Sequence, residues 1–432
     1  MKRIGEIIKM AITNIISAIG NNSSVYPLIL RDCGIEVPTK LALTYNQNKK
    51  ESKEIAYLAT RERFLDEYSS SAVWLGGIPF MGWLCNKFIK SKGLSPDVNL
   101  KLFKEEAGIQ GIDYNIKKFA KTAPDAVKDL IKAKENKKLY EKLLAGKFIA
   151  STTVPILFMG FILPKLIFAS SSKKIQKLRE ENAKKSQNQK ISFTQKDKFF
   201  KSETPSFTGA WITKAANFSA QDKMAVTDGG YAVGRVATAR NKNECMDISF
   251  KMAGMMILNY LAPKWIEKAL NKMTGSQLDP VILADEEFVE QVKAGTLSLP
   301  KSDNAKDLLD FVDNIENTDT PFIKFAKKFE KIKMLDSGIR DPREYVDIKE
   351  LGGFRNDIEK FTKQAIKSDN FEKFVKKAKF AKSANILTNV TLSSFLLAYA
   401  LPKAQFIFRK LVTGSDLEPG LAPAEKTLDK TT

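Results

Sequence analysis

The stretch FIASTTVPILFMGFILPKLIFA, residues 148–169, is the segment on which the fold assignment depends. It holds a single charged residue, Lys165, and is long enough to cross a bilayer, which takes about 20 apolar residues. Three further apolar segments cover residues 68–86, 252–263 and 383–402. Alternation of apolar and polar residues at period two is scarce, so the sequence predicts an all-α chain. Up to four of its helices are expected to be membrane-inserted or deeply buried.

The other three segments fit a membrane span less well than residues 148–169. The first is uncharged but broken by Gly76, Gly77 and Pro79. The third is too short to cross unless Lys251 snorkels to the interface or the segment is re-entrant. The fourth is long enough but contains two asparagines, two threonines and three serines. The alternative to insertion is a soluble protein with four buried core helices.

The composition excludes several classes of chemistry. The chain of 432 residues has 70 lysines and arginines, 50 aspartates and glutamates, a net charge of +20 and no histidine. Without histidine, general-base catalysis by histidine, Ser-His and Cys-His pairs and most zinc and haem sites are excluded. Cys33, Cys85 and Cys245 form no CxxC motif, and no P-loop, GxGxxG or GxSxG motif occurs. We therefore expect no enzymatic activity, no cofactor and no metal site. The glycine-containing stretch DGGYAVGR, residues 228–235, predicts a tight turn or close helix packing.

An internal duplication is the most specific pattern in the chain. A shift of 177 positions aligns the first apolar segment with the third, and a shift of 238 aligns the second with the fourth. The order of the segments is the same in both halves, which indicates a direct tandem repeat. Identical pairs under the two shifts include Arg63–Arg240, Glu67–Glu244, Gly77–Gly254, Leu84–Leu261, Thr153–Thr391, Leu163–Leu401, Pro164–Pro402 and Lys165–Lys403.

These patterns divide the chain into five regions. An N-terminal amphipathic helix and lead-in (1–50) precede the first repeat half (51–169), a polar linker (170–227), the second repeat half (228–412) and a disordered tail (413–432). The second half carries an acidic helical insertion near residues 275–350. Within the insertion, four aspartates recur at helical spacing and predict an exposed acidic helix face, or less favourably a regulatory arm that docks on a basic surface. They are Asp303, Asp307, Asp310 and Asp313.

The first twenty residues have the pattern of an amphipathic helix. Their apolar residues follow the i, i+3, i+4, i+7 spacing and are Ile4, Ile7, Ile8, Ala11, Ile12, Ile15 and Ile19. Such a helix lies in a membrane interface or packs on the protein's own core. A signal peptide fits less well because Glu6 and Lys9 interrupt the apolar run.

Each apolar segment ends with an aromatic residue that is followed four positions later by a lysine. The candidate membrane-interface pairs are Trp83–Lys87, Phe161–Lys165, Tyr260–Lys264 and Tyr399–Lys403. At this spacing the ring and the ammonium group share one helix face. A ring at headgroup depth beside a lysine that reaches water is typical of a helix ending at a membrane interface. The alternative is a helix C-terminus in a soluble core, where lysine interacts favourably with the helix dipole.

Two arginine–glutamate pairs stand just before the first and third apolar segments. Arg63 and Glu67 are four residues apart, as are Arg240 and Glu244. We favour exposed helix-surface pairs, each worth about 0.2–0.5 kcal/mol. The alternative is a buried charge couple in a polar cavity.

The sequence as a whole predicts a non-enzymatic, membrane-associated helical protein with a structural or organising role. Its lysine-rich faces are expected to contact anionic lipid headgroups. Nucleic acid is not an expected partner, because no nucleic-acid-binding motif accompanies the charge. One alternative is a small-solute or lipid translocator built from the two halves, which with only four spans would need to form a homo-oligomer. The other is a soluble helical scaffold. A polar cavity between the halves would favour transport, and a dry interface would favour a structural role.

Overall fold

The computed structural model describes residues 2–20, 29–50, 52–169, 174, 220–275 and 278–414. Over these residues the chain forms helices and connecting loops and no β-strand, which confirms the all-α prediction. A single antiparallel bridge joins Met334 and Arg340 in the same part of the chain. Residues 21–28 of the lead-in, most of the predicted polar linker and residues 415–432 of the predicted tail lie outside the described residues.

The helices are numbered here in chain order. The helix α3 spans residues 53–91 and joins the segments Lys53–Ala72, Val73–Gly77 and Ile78–Ser91 without a break. The others are α1 (Lys2–Gly20), α2 (Val37–Asn48), α4 (Ile112–Phe119), α5 (Pro124–Glu135), α6 (Lys137–Ala169), α7 (Ala220–Ala237), α8 (Lys242–Tyr260), α9 (Ala262–Thr274), α10 (Glu286–Ala294), α11 (Ala305–Val312), α12 (Pro321–Lys328), α13 (Ile348–Ile366) and α14 (Phe371–Thr413).

Proline sets where the long helices are interrupted. In α3, α6 and α14 a wide π-helical turn ends two residues before a proline, because proline lacks an N–H and its ring clashes with the carbonyl group four residues earlier. The turns and their prolines are Val73–Gly77 with Pro79, Phe158–Ile162 with Pro164, and Leu396–Ala400 with Pro402. The third apolar segment instead breaks at Leu261, also two residues before a proline, Pro263, so that α8 and α9 are separate helices.

The long helices form two hairpins. The helix α3 packs on α6, while α8 and α9 pack on α14. Leu65, early in α3, packs against Leu163 and Phe168, late in α6, so the first hairpin is antiparallel. The helix α7 contacts α6 and α8, and α2 contacts α3 and the π turn of α14. These two helices therefore connect the hairpins.

The helix α7 crosses α6 at very short distance. A Cβ atom added to Gly234 would lie 2.8 Å from the Cα of Gly160, and one added to Gly230 would lie 2.6 Å from the Ile156 side chain. Thr238 donates a hydrogen bond to the Gly160 carbonyl oxygen at 3.2 Å. Small residues that let two backbones approach in this way are typical of helix pairs in membranes. Residues 228–235 therefore serve close helix packing and do not form a turn.

The segments that connect the hairpin helices, residues 92–136 and 275–370, pack together. They are called the head here. The Gln110 side chain donates to the Val346 carbonyl oxygen at 3.0 Å and accepts from the Val346 N–H at 2.7 Å. Asn115, which is fully buried, donates to the Pro342 carbonyl oxygen at 3.1 Å. The predicted acidic insertion is thus folded against the first half, around its own apolar core of Phe288, Leu308, Phe322, Phe325 and Leu351.

The acidic residues of the insertion do not form one exposed face. Asp303 and Asp310 are exposed, as expected, but the Asp313 carboxylate is only 3% exposed. It accepts from Arg340 at 2.5 Å and pairs with Lys118 at 2.8 Å. The prediction of an exposed acidic face is therefore wrong for Asp313, because a buried guanidinium group requires a counter-ion.

Two helices are long and apolar enough to cross a membrane, Lys137–Ala169 and Phe371–Thr413. Only 44% and 39% of their most apolar windows are buried, whereas a core helix would be mostly buried. Large apolar side chains are exposed on the hairpin helices α3, α6, α8, α9 and α14. They include Phe80, Ile162, Leu166, Ile257, Trp265, Leu392, Phe395 and Leu411. The bundle thus carries much of its apolar surface on the outside.

The N-terminal helix packs along α14 and leaves part of its apolar stripe uncovered. Gly20 lies against Ile386, whereas Ile8, Ile12 and Ile15 are each more than half exposed. Ser17 donates to the Asp279 carboxylate at 2.7 Å and so ties α1 to the head. Burial raises the pKa of this carboxyl group above its ordinary value.

The glycine contact gives a direct test of the packing of α7. We expect Gly234→Ala to destabilise the protein by about 1–3 kcal/mol, because the added methyl group meets backbone that cannot move aside alone. Gly229→Ala is the matched control, since its Cβ would meet nothing within 4 Å. It should stabilise α7 by about 0.5–1 kcal/mol. Thermal unfolding of the two purified variants measures both effects, and equal melting temperatures would contradict the close crossing.

Candidate functional site

A cavity of about 390 Å³ lies inside the helix bundle and is rich in charge. It is lined by α3, α7, α8 and α9, by the π turn before α2, and by single residues of α1, α2, α6 and α14. The lining therefore comes from both predicted repeat halves. Its charged residues are Arg31, Asp32, Glu36, Glu67, Asp228, Lys251, Lys264 and Glu267.

The irregular turns of the helices supply much of this lining. Arg31, Asp32 and Glu36 lie in the π turn Leu30–Glu36, and Trp74 lies in the π turn of α3. Further lining residues lie in the π turn of α6 and on both sides of the α8–α9 break. Wide turns of this kind are frequent at functional sites, because they displace side chains from the regular helical positions.

One carboxylate organises the charges beside the cavity. Glu67 pairs with Lys251 at 2.8 Å, with Arg63 at 3.1 Å and with Lys40 at 3.7 Å. Lys40 also pairs with Glu36. Lys40 and Lys251 are only 2% and 5% exposed, so neither ammonium group can be left without a counter-ion. These pairs hold α2, α3 and α8 together.

A second tier of ion pairs lies nearer the start of α3. Asp66 accepts from Arg235 of α7 at 2.7 Å. Arg240 binds Glu62 at 2.9 Å and Glu244 at 2.8 Å, and its guanidinium group lies over the Phe168 ring at 4.1 Å. The residues come from α3, α6, α7 and α8 and from the α7–α8 connection. The tier therefore joins the first hairpin to the second.

A third ion pair is fully buried and joins the two sides of the second hairpin, α8 and α14. Arg409 of α14 donates to both oxygens of Asp247 in α8, at 3.0 and 2.9 Å, and Gln405 donates to Asp247 at 2.7 Å. Arg409 and Asp247 are 1% and 4% exposed. This two-point geometry is the strong form of an arginine–carboxylate contact.

Asp228 differs from the other carboxylates of the cavity. Its Oδ2 accepts from the Tyr260 hydroxyl at 2.6 Å, and it has no lysine or arginine ion-pair partner within the described ranges. Asn259 lies beside it in the lining, and the Asn259 Oδ1 atom is buried with no hydrogen-bond donor. In the part of the chain that the structure describes, Asp228 thus has only the neutral donors Tyr260 and Trp74 beside it, and the Asn259 Oδ1 atom has no donor.

Aromatic residues and methionines make up much of the remaining lining. The rings of Trp74, Tyr231 and Tyr260 line the cavity. Five methionines contribute flexible thioether side chains, which adapt to irregular ligand shapes. They are Met159, Met224, Met252, Met255 and Met256.

The two predicted arginine–glutamate pairs are both formed, but neither is isolated on the surface. Arg63–Glu67 and Arg240–Glu244 have side chains between 7% and 19% exposed. Each is part of a larger network that crosses to another helix. The surface interpretation underestimated how many counter-charges the neighbouring helices supply, among them Glu62 and Lys251.

The four predicted aromatic–lysine pairs do not share one environment. Lys87 lies 4.0 Å above the exposed Trp83 ring, and Lys403 lies 5.7 Å from the exposed Tyr399 ring. Tyr260 turns inward to Asp228, and Lys264 lines the cavity. Phe161 packs against Gly234 of α7, while Lys165 is exposed.

Sequence reasoning missed most of the cavity. Lys251 does not snorkel, because its ammonium group is held by Glu67 across the helix interface. Asp228 was visible only as part of a glycine-rich stretch, and Arg31–Asp32 carried no pattern at all. The usable signal was the presence of single charges next to apolar segments, since such charges inside a bundle usually have a partner.

Metal binding has no support in the part of the chain that the structure describes. No group of three or more cysteine, aspartate or glutamate side chains there is arranged to hold an ion. Cys33, Cys85 and Cys245 are free thiols of intermediate exposure.

Comparison with protein families, with curated proteins and with solved structures finds no match to this chain.

The shared carboxylate should be essential for stability. We expect Glu67→Gln to destabilise the protein by about 3–5 kcal/mol, since three largely buried cations lose their common counter-ion. Glu350→Gln is the matched control, because Glu350 is 61% exposed and within the described residues pairs only with Lys331, at 2.9 Å. Its loss should cost about 1 kcal/mol or less. A Glu67→Gln melting temperature equal to that of the control would show that the network contributes no more than a surface pair.

Proposed function

We propose that the chain is a membrane-spanning helical protein in which two repeat halves enclose a cavity that binds and passes a small polar solute. The observation that carries this proposal is the charged cavity among helices whose outer faces are apolar. Ionisable residues inside a membrane bundle are costly, and they mark substrate and ion pathways.

The membrane location is supported by the distribution of apolar surface. The helices α6 and α14 meet the length and composition of a span, and both expose large apolar side chains such as Ile162 and Phe395. The exposed stripe of α1 fits a helix that lies at the interface. The many lysines of the chain would then contact anionic headgroups. A soluble scaffold would have to leave all these apolar faces in water.

The repeat is supported most clearly by the second and fourth apolar segments. Their π turns begin at Phe158 and Leu396, 238 positions apart, which is the shift found in the sequence. The first and third segments agree less well with their sequence shift of 177. The prolines that follow their helix breaks, Pro79 and Pro263, are 184 positions apart. The difference of seven residues is about two helical turns. Each half also contains one hairpin, and in each hairpin a segment of the head connects the two sides.

Transport is favoured over the structural role that the sequence suggested. A structural bundle gains nothing from an open polar interior, because well-packed apolar residues stabilise a core at least as well as buried ion pairs. The cavity also lies between the two halves, where translocators with internal repeats hold their substrates. With four apolar segments in each chain, a homo-oligomer would complete such an assembly.

Thiol labelling in native membranes tests both parts of the proposal. In a background with Cys33, Cys85 and Cys245 changed to serine, we expect Asn259→Cys to react with the membrane-impermeant, water-soluble reagent MTSET. The matched position Phe395→Cys lies on the outer face of α14 and is 52% exposed to the surroundings of the bundle. It should stay unreactive, because a thiol in hydrocarbon is not ionised.

The labelling pattern separates the alternatives. A Phe395→Cys thiol that reacts as fast as Asn259→Cys would show that the apolar face meets water and would overturn the membrane proposal. An unreactive Asn259→Cys thiol would show that the cavity is closed to water and would overturn transport. Both variants should react after denaturation, which confirms that each thiol is intact.

A further inference from the structure

We propose that the cavity recognises a small alkylated ammonium ion, with the Asp228 carboxylate as its counter-ion. The inference rests on the proposed function, because it names the class of solute that the cavity takes.

Among the described residues, the ion pairs of the cavity lining leave one carboxylate without a cation. Five carboxylates line the cavity, and their lysine and arginine partners include residues outside the lining. Four of the carboxylates are already neutralised. Asp32 pairs with Arg31 at 2.8 Å, and Glu67 pairs with Lys251 at 2.8 Å. Glu36 and Glu267 pair with lysines outside the lining, Lys40 and Lys382.

Asp228 is the carboxylate that remains. The third basic side chain of the lining, Lys264, is exposed and reaches no carboxylate within 4.0 Å in the described part of the chain. The neutral Tyr260 hydroxyl binds one oxygen of Asp228, and the Trp74 indole N–H lies beside the carboxylate, so neither neighbour supplies a positive charge. A carboxylate in such a place is stabilised by a cation that enters the cavity.

The other lining groups decide what kind of cation fits. A divalent metal ion requires several oxygen ligands, and no cluster of three or more candidate ligands is present in the described residues. Three aromatic residues line the cavity instead, Trp74, Tyr231 and Tyr260, and aromatic rings attract organic cations, as in sites for quaternary ammonium groups. Methionine side chains pack well around N-methyl groups.

The Asn259 side chain supplies a second, independent sign of a ligand. Its Oδ1 atom is buried at the cavity without a donor, although a buried acceptor normally has one. The Oδ1 atom itself is closed to the cavity, so a hydroxyl or N–H group on the solute would satisfy it only if the Asn259 side chain turns toward the solute. The site therefore combines a negative charge, aromatic residues and one hydrogen-bond acceptor in about 390 Å³, a volume typical of small-molecule sites.

Three probes of nearly equal shape test the charge preference. Choline is the cation, 3,3-dimethyl-1-butanol is its uncharged isostere, and 3,3-dimethylbutanoate is the corresponding anion. With the full-length protein purified in lipid nanodiscs, isothermal titration calorimetry should show choline binding at least about tenfold more tightly than either isostere. The proposal would be overturned if the alcohol bound as tightly as choline or if the anion bound more tightly. It would also be overturned if choline did not bind at about 10 mM, a concentration that detects even very weak binding.

Two substitutions test the residues. Asp228→Asn should weaken choline binding at least about tenfold, while the control Asp125→Asn, at a carboxylate that is 93% exposed and far from the lining, should leave it unchanged. Tyr260→Phe keeps the ring and should bind choline within about threefold of the parent, whereas Tyr260→Leu should lose most of the binding. Full choline binding by Asp228→Asn would overturn the role of Asp228.

Folding and the proposed function are controlled separately. Asp228→Asn removes a buried charge that has no ionic partner, so its melting temperature should equal or exceed that of the parent. The thiol labelling of Asn259→Cys does not depend on the solute. Labelling in the expected pattern without choline binding would overturn the cation proposal alone, whereas failure of the labelling would overturn the proposed function.

Discussion

The carboxylate of Glu67 is the contact on which the interior of the bundle depends. Three cations from α2, α3 and α8 converge on it, and two of them, Lys40 and Lys251, are almost completely buried. Buried ammonium groups stay charged only beside a counter-ion, so the three helices must keep their relative positions. The tiers around Arg240 and Arg409 extend the same constraint to the second hairpin. The result is a charged layer inside helices whose outer faces are apolar.

Proline provides the second constraint, and it explains why the charged layer contains a cavity. The π turns and the break at Leu261 each end two residues before a proline, where a regular α turn cannot form. Residues from these irregular turns, including Trp74 and Met159, line the cavity. The π turn of α6 combines close packing with the cavity lining, because Gly160 packs closely on Gly234 of α7 while Met159 of the same turn lines the cavity. The irregular backbone therefore keeps the interior open and directs polar groups into it.

The sequence was a good guide to local structure and a poor guide to the site. Apolar runs and the scarcity of period-two alternation were enough for the all-α fold, because these patterns are local. The cavity depends on which helices meet, and a single sequence does not contain that information. Thus Arg63–Glu67 was recognisable as a pair at helical spacing, but its partners Lys40 and Lys251 come from other helices. The aromatic–lysine pairs shared a spacing, yet Tyr260 faces Asp228 while Trp83 faces outward.

The central claim is that the apolar faces of the hairpins lie in a lipid bilayer, and alkaline carbonate extraction of membranes from expressing cells tests it most directly. This treatment releases peripheral proteins and retains proteins that are held by apolar spans. The account predicts that the full-length protein stays in the membrane pellet and is released only by detergent. Recovery of the protein in the carbonate supernatant as a folded species would contradict it, and the four apolar segments would then be core helices of a soluble protein.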